Sequence, residues 1–256
     1  MKIISIIPAR MGSSRFPGKP MADILGIPMI GHVYKRVKMS KLLNEVYVAT
    51  CDQIIFDYIE SIGGKAVMTS DCHERCTDRC AEAMLTIEKN ENIKVDIMVM
   101  VQGDEPLTFP EMIDEAVQPM IQDSSLVITN LVADLESIEA FENPNEVKVV
   151  MDMQGFALYF SREPIPSRKK GVLEVPMKKQ VCVIPFTRDF LLEYNAMEPT
   201  PLEIIESVDM MRILENGQKV KMIPTNYKTK AVDTIEDLKL VQEMMLKDVL
   251  FKGIYL

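Results

Sequence analysis

The stretch Ile3-Ile4-Ser5-Ile6-Ile7-Pro8-Ala9-Arg10-Met11-Gly12-Ser13-Ser14-Arg15-Phe16-Pro17-Gly18-Lys19-Pro20 decides the fold. It opens as an apolar run rich in β-branched residues, the pattern of a buried strand. From Ala9 the hydrophobic period stops, and Gly12, Gly18, Pro17, Pro20, Ser13 and Ser14 share the segment with three cations, Arg10, Arg15 and Lys19. A strand that delivers a Gly/Ser-containing, cation-rich loop to the carboxyl edge of an α/β sheet is a recurring way to hold phosphates. Backbone N–H groups and hydroxyls donate, and guanidinium and ammonium groups neutralise charge.

Outward from this stretch, strand and helix patterns alternate. Gly26-Ile27-Pro28-Met29-Ile30 reads as a helix start, with Pro28 in the first turn and Met29, Ile30, Val33 and Val37 on one face. Glu45–Thr50 reads as a second strand. Asp52 caps a helix that turns Ile54, Ile55, Tyr58 and Ile59 inward and stops at Gly63-Gly64. Lys65–Met68 is a short strand, Thr77–Lys89 a helix, and Val95–Val101 an almost wholly apolar strand of the kind found at the centre of a parallel sheet. Pro110 begins another helix, and Leu126–Ala133 reads as a strand. This alternation predicts an α/β, Rossmann-like, doubly wound and mainly parallel sheet. The second half predicts an antiparallel elaboration: strands at 147–152 and 155–160, a basic loop from Pro164 to Gly171, a strand at 180–186, and one helix from Pro201 to Asn216 with Ile204, Ile205, Val208, Met211 and Leu214 inward. A short strand at 219–223 and a terminal helix at 234–247 complete it. With no repeat and no linker, the expectation is one domain over residues 1–256.

The bulk numbers exclude several classes. A net charge of -9 argues against a nucleic-acid surface, which needs a broad basic field. No apolar stretch approaches the roughly 20 residues of a membrane span, and the N-terminal run is too short for a signal peptide. Five cysteines without a secreted context suggest reduced thiols in a cytoplasm.

Asp104 and Glu105 directly follow the most apolar strand, where an open α/β sheet places functional groups and where a carboxylate suits Mg²⁺. Asp233-Thr234 reads either as an ordinary capped helix start or as the source of a second metal ligand. Cys72, His73, Cys76 and Cys80 are metal-capable but lack the spacing of a known zinc site, and small buried hydrophobes are the simpler reading. Thr77, Asp78 and Arg79 lie at a helix start where an anion or a base edge is read. With His32 in a helical pattern and His73 in a loop, no Ser/His/Asp triad forms, so a protein nucleophile is not expected.

These residues resemble the sugar-acid cytidylyltransferases, most closely the branch that activates 3-deoxy-manno-octulosonate (Kdo). The resemblance runs nearly the whole length: Ile7–Arg10 with Ser13–Pro20, Val101–Pro106, Phe141–Val150, Ala157–Arg162, Pro201–Glu203 and Val232–Thr234. It implies a nucleotide-diphospho-sugar transferase type of fold, with a nucleotide-binding half at 1–130 and a sugar-binding and dimerisation half at 131–256. It implies transfer of CMP from CTP to a 3-deoxy-2-ulosonic acid with release of pyrophosphate, for surface polysaccharide or lipopolysaccharide synthesis, by a cytoplasmic homodimer. By carry-over, Lys19, Arg10, Asp104 and Asp233 are catalytic. Asp104 and Asp233 hold Mg²⁺. Pro8, Ala9, Arg10, Ser13, Arg15, Lys19, Thr77, Arg79 and Gln102 bind the nucleotide. Asn145, Lys148, Gln180 and Glu203 face the sugar acid. Four places depart from the family pattern: Arg75-Cys76 stands for Ser-Gly, Lys179–Cys182 for Arg-His-x-Gly, Ala231-Val232-Asp233-Thr234-Ile235 for Gly-Val-Asp-Thr-Pro, and the loop after Arg162 is shorter and more basic. The competing readings are a nucleotidyltransferase for another NTP or a sugar-1-phosphate, and a non-catalytic nucleotide-binding relative.

Overall fold

β1 (Ile3–Ala9) is buried along its whole length. The computed structural model describes residues 1–12, 16–172 and 174–254. β1 pairs in parallel with β4 (Glu45–Thr50) on one side and β6 (Ile97–Val101) on the other, and β4 pairs in parallel with β5 (Ala66–Met68). β6 is buried at every position, as expected for a parallel strand covered on both faces. The helices α1 (Met29–Val37), α2 (Gln53–Ser61) and α3 (Cys76–Glu91) connect these strands, so the doubly wound expectation holds.

The start of α1 differs from the sequence reading. β2 (Asp23–Ile24) and β3 (Ile27–Pro28) form a hairpin, and Pro28 precedes the helix instead of lying in its first turn. Leu25 and Gly26 both have positive φ (53° and 86°), the conformation a two-residue hairpin turn demands. In α2, Ile55 and Ile59 are buried as expected, while Ile54 is exposed.

The chain divides into two compact units, residues 1–113 with 228–256, and residues 114–227. The halves read from sequence meet near residue 130. The observed division falls inside α4 (Pro110–Gln122), and the tail from Lys228 belongs with the first unit.

The second unit is built on a sheet whose order is β12-β7-β10-β8-β9. Its strands are β7 (Thr129–Asp134), β8 (Lys148–Met151), β9 (Ala157–Ser161), β10 (Lys178–Val181) and β12 (Lys221–Pro224). Only the β12–β7 pair is parallel; the others are antiparallel, which is the elaboration expected. The strand read at 180–186 breaks at Cys182 into β10 and β11 (Val183–Thr187). Two short helices, α5 (Ile138–Glu142) and α6 (Arg188–Ala196), add to the elements the sequence predicts.

The single helix read at 201–216 is two helices, α7 (Pro201–Glu206) and α8 (Met210–Glu215). Ser207 adopts a left-handed conformation (φ 51°) and ends the first. The break shifts the apolar period, so Ile204 and Ile205 are exposed while Val208 and Met211 stay buried. It also lets Arg212 of α8 turn back onto Glu203 of α7 through two 2.7 Å hydrogen bonds.

The tail returns to the first unit as α9 (Ile235–Lys247) and α10 (Val249–Ile254). Thr234 and Asp237 form a reciprocal capping box at the start of α9. Val232, Val241, Met245 and Phe251 pack with Ile24, Met29 and Leu107 in one apolar cluster. Arg36, fully buried on α1, pairs with Asp248 and donates to Met245 Sδ. His32 is also buried, its Nε2 2.8 Å from the Ile24 carbonyl and its ring 6.0 Å from Phe251, and burial lowers its pKa.

Candidate active site

The carboxyl end of β1 opens onto a cavity of about 330 Å³, lined by Pro8, Ala9, Arg10, Gly12, Lys19, Pro20, Cys76, Gln102, Gly103 and Asp104. Local hydrogen bonds shape this end. The Gly18 N–H donates to the Met11 carbonyl at 3.1 Å, with Gly18 at φ 76°, so the loop closes on itself and a short 3₁₀ turn begins at Lys19. The Met11 N–H donates to Asp52 Oδ2 at 2.8 Å. The sequence predicts Asp52 to cap α2, but it makes no side-chain cap bond; its carboxylate holds the loop instead. The missed signal is position: Asp52 follows the carboxyl end of a parallel strand next to β1, where functional groups gather.

Gly103 follows β6 at the opposite wall. A Cβ there would lie 2.9 Å from the Pro8 carbonyl and 3.2 Å from Ile30 Cδ1, so the two strand ends approach as closely as only glycine permits. Asp104 comes next. Its carbonyl accepts the Val232 N–H at 2.9 Å, which fixes Asp233 beside it. The Lys19 ammonium bridges the two carboxylates, 2.7 Å from Asp104 Oδ2 and 3.3 Å from Asp233 Oδ1. All three side chains are largely buried. Asp104 Oδ1 is buried and has no hydrogen-bond partner among the described residues. A buried carboxylate oxygen left over in this way calls for a cation or a donor.

A smaller cavity of about 70 Å³ shares Pro8, Ala9, Arg10 and Cys76 with the first and adds His73, Glu74, Arg75 and Arg79. Arg10 Nη1 donates to the His73 carbonyl at 3.3 Å. The His73 ring meets the Glu82 carboxylate. Burial pushes Glu82 upward, but hydrogen bonds from His73 and the Ser70 amide outweigh it and hold the carboxyl below its usual range. Arg79 is buried, its Nη1 donating to the Thr69 hydroxyl and the Ser70 carbonyl. Thr77 is fully buried in the first turn of α3 and lines neither cavity. Ser13 and Arg15 lie outside the described residues.

The structure therefore brings Pro8, Ala9, Arg10, Lys19, Gln102, Asp104 and Asp233 to one strand edge, with Arg79 at the adjoining cavity. The arrangement offers cations, backbone amides and paired hard oxygen donors, which suits a polyphosphate and a divalent ion.

The sugar-acid candidates lie in the second unit. Lys148 is fully buried, and its ammonium donates to the carbonyls of Asn143, Glu146 and Arg162 at 2.8, 2.7 and 2.5 Å. Burial lowers its pKa, against the pull of nearby Glu146 and Glu163. Glu203 is fully buried in its pair with Arg212 and completes a capping box with Thr200. Gln180 Nε2 donates to Asn130 Oδ1 at 2.6 Å, and Asn130 in turn donates to the Val181 carbonyl at 2.7 Å. Asn145 is exposed. Glu206 accepts from Tyr159, Ser161 and the Arg162 amide, tying β9 to α7. Glu206, Arg212 and Asn130 are not among the residues the sequence singles out, and nothing local in their segments marks them.

Comparison with known proteins places these features among relatives. A family profile described as cytidylyltransferase matches residues 4–222. The chain is 43% identical over 257 residues to a 3-deoxy-manno-octulosonate cytidylyltransferase from Geotalea uraniireducens, covering 96% of this chain and 100% of that one. It is 42% identical over 252 residues to a protein of the same name from Thermodesulfovibrio yellowstonii, covering 96% and 98%. Among solved structures, a CMP:2-keto-3-deoxy-manno-octonic acid synthetase complexed with CTP matches with a TM-score of 0.88 at 36% identity, over 96% of this chain and 99% of that one. A 4-diphosphocytidyl-2C-methyl-D-erythritol synthase from Anaerococcus prevotii, with a TM-score of 0.61 at 15% identity over 96% and 99%, shares the fold.

Proposed function

The chain belongs to the cytidylyltransferase family, and from that premise we propose that it transfers CMP from CTP to 3-deoxy-manno-octulosonate, releasing pyrophosphate, for lipopolysaccharide or surface polysaccharide synthesis. One observation carries the catalytic half of the reading: the Lys19 ammonium held between Asp104 and Asp233 at the mouth of the cavity below β1.

The reaction forms a bond from the sugar's anomeric oxygen to the α-phosphorus and breaks the bond to pyrophosphate; the hydroxyl proton leaves to solvent. Such a transfer needs in-line positioning and charge neutralisation rather than a protein nucleophile. Lys19 and Arg10 neutralise the phosphates and the departing pyrophosphate, with Ser13 and Arg15 as further donors. Pro8, Ala9 and Arg79 form the base side, with Thr77 buried behind them in the first turn of α3, and Gln102 meets the ribose. Asp104 and Asp233 would hold Mg²⁺, and Asp104 Oδ1, without a partner among the described residues, together with an all-oxygen donor set fits that ion. When bound, Mg²⁺ supplies charge neutralisation at the phosphates and acidifies a coordinated hydroxyl. On the sugar side, Gln180 and Asn145 make contact with the acid, while Lys148 and Glu203 hold the frame around them, since their charged groups are already used by buried partners. A cytoplasmic homodimer is the assembly proposed; among the described residues no helix is long and apolar enough to cross a membrane.

The test is a pyrophosphate-release assay with each NTP against a panel of 3-deoxy-2-ulosonic acids and sugar-1-phosphates. Release with CTP and Kdo, abolished by chelating Mg²⁺, is expected. Turnover only with another NTP and a sugar-1-phosphate, or CTP binding without turnover, would overturn it.

A further inference from the structure

Cys72 precedes α3 and Cys76 and Cys80 lie in its first turns, and of the three Cys76 lines the two cavities described above. Cys80 is fully buried, and burial pushes its thiol well up. Cys72 is exposed beside the Ser70 hydroxyl and lines neither cavity. Cys76, half-buried as the first residue of α3, lines both.

Four cations line the cavities that Cys76 shares, alongside the carboxylates of Asp104 and Glu74. The larger cavity adds Arg10 and Lys19, and the smaller adds Arg75 and Arg79. Arg79 is 3% exposed, and its Nη2 is buried without a hydrogen-bond partner among the described residues, although Nη1 is used twice. A buried guanidinium nitrogen with an unused donor calls for an acceptor oxygen brought by a ligand. Guanidinium groups beside a thiol favour its attack on disulfides and draw anionic reagents toward it.

We infer that Cys76 is a modification site in the wall of this cavity, which forms a mixed disulfide with a small disulfide carrying carboxylates, of the glutathione type, and that the adduct excludes CTP. The inference rests on the nucleotide reading of the cavity. Cys76 Sγ, as thiolate, attacks one sulfur of the reagent. The reagent's S–S bond breaks, a protein–S–S bond forms, and the departing thiolate takes a proton from water. The protein sulfur is oxidised and the leaving sulfur reduced, and excess thiol reverses the step. A tripeptide adduct on Cys76 occupies the wall of the same cavity that the nucleotide reading gives to CTP, so the two compete for that space.

The test treats the full chain with oxidised glutathione and, in parallel, with cystamine, a cationic disulfide, and maps adducts by mass spectrometry. The Cys76 adduct should form about 10-fold faster with oxidised glutathione, as steering by the local cations requires. Saturating CTP should slow it by about the same factor, since a bound ligand at that excess leaves few open sites. Pyrophosphate release should fall in proportion to the adduct and return with dithiothreitol, and Cys72→Ser should leave all of this unchanged. Adducts confined to Cys72 or Cys51, equal rates with the two reagents, or a fully active Cys76 adduct would overturn the inference. If calorimetry shows CTP binding to the unmodified protein but CTP gives no protection, the inference fails and the nucleotide reading stands. If CTP does not bind the unmodified protein, the nucleotide reading itself fails.

Discussion

Lys19 and Lys148 show how differently the two units use one residue type. Lys19, in the first unit, is 12% exposed and faces two carboxylates at the edge of a cavity. Lys148, in the second, is fully buried and caged by three carbonyls. At Lys19's cavity and the one adjoining it, acceptor and donor groups are left over: Asp104 Oδ1 and Arg79 Nη2 have no partner among the described residues. Elsewhere in the second unit charged groups are matched in the same way, Glu203 by Arg212 and Lys179 by Glu146. A buried polar group that is satisfied stabilises a frame, whereas one left over at the lining of a cavity can take a ligand or an ion. Removing the first kind should therefore cost stability, and removing the second kind should cost rate.

The largest effect should come from Lys19→Met. Loss of a preorganised cation at a phosphoryl-type transition state costs about 10³-fold in kcat/KM, ~4 kcal/mol. A variant keeping a tenth of wild-type activity would break the comparison at its strongest point. Next is Glu203→Gln, which leaves the Arg212 guanidinium buried against a neutral amide. Breaking a buried pair in this way costs about 3 kcal/mol or more in urea denaturation. Lys148→Met should cost about 2 kcal/mol, because three carbonyls lose their common donor. If instead it lowers turnover with stability unchanged, Lys148 contacts substrate and belongs with Lys19.

Gly103→Ala probes the joint between the strand ends. With the Pro8 carbonyl 2.9 Å from the new Cβ, one wall must shift. A displacement of that size at a site needing near-attack geometry should lower kcat/KM by about 10-fold or more, with a smaller effect on melting. Asp52→Ala should act most weakly. It removes one acceptor from the Met11 amide, worth about 1 kcal/mol, and should raise KM for CTP about fivefold with kcat nearly kept. An equal fall in kcat would mean that Asp52 does more than hold the loop.

Much of the first unit is legible in the amino-acid sequence alone. β1, β4, β5 and β6 are short apolar runs, and α9 announces itself by Thr234 and Asp237, because hydrophobic period and capping are local properties. The hairpin at 23–28 is not legible in the same way. Its turn uses Leu25 in a left-handed conformation that leucine seldom adopts, so the sequence carries only half the turn signal. The split of α7 and α8 escapes for a related reason: a continuous 3.6-residue period runs through Ser207, and only the Glu203–Arg212 pair shows why the chain turns there.

By itself, the sequence determined the strand–helix alternation, the cationic loop after β1 and the candidate aspartates, since each follows from residue type and spacing along the chain. Only the tertiary structure decided which charges meet. Lys19 finds Asp104 and Asp233 across 85 and 214 positions. Lys148 finds carbonyls 2, 5 and 14 positions away. Whether a charge is matched by a neighbour or left for a ligand depends on distance and desolvation in space, and those are set by how remote segments pack.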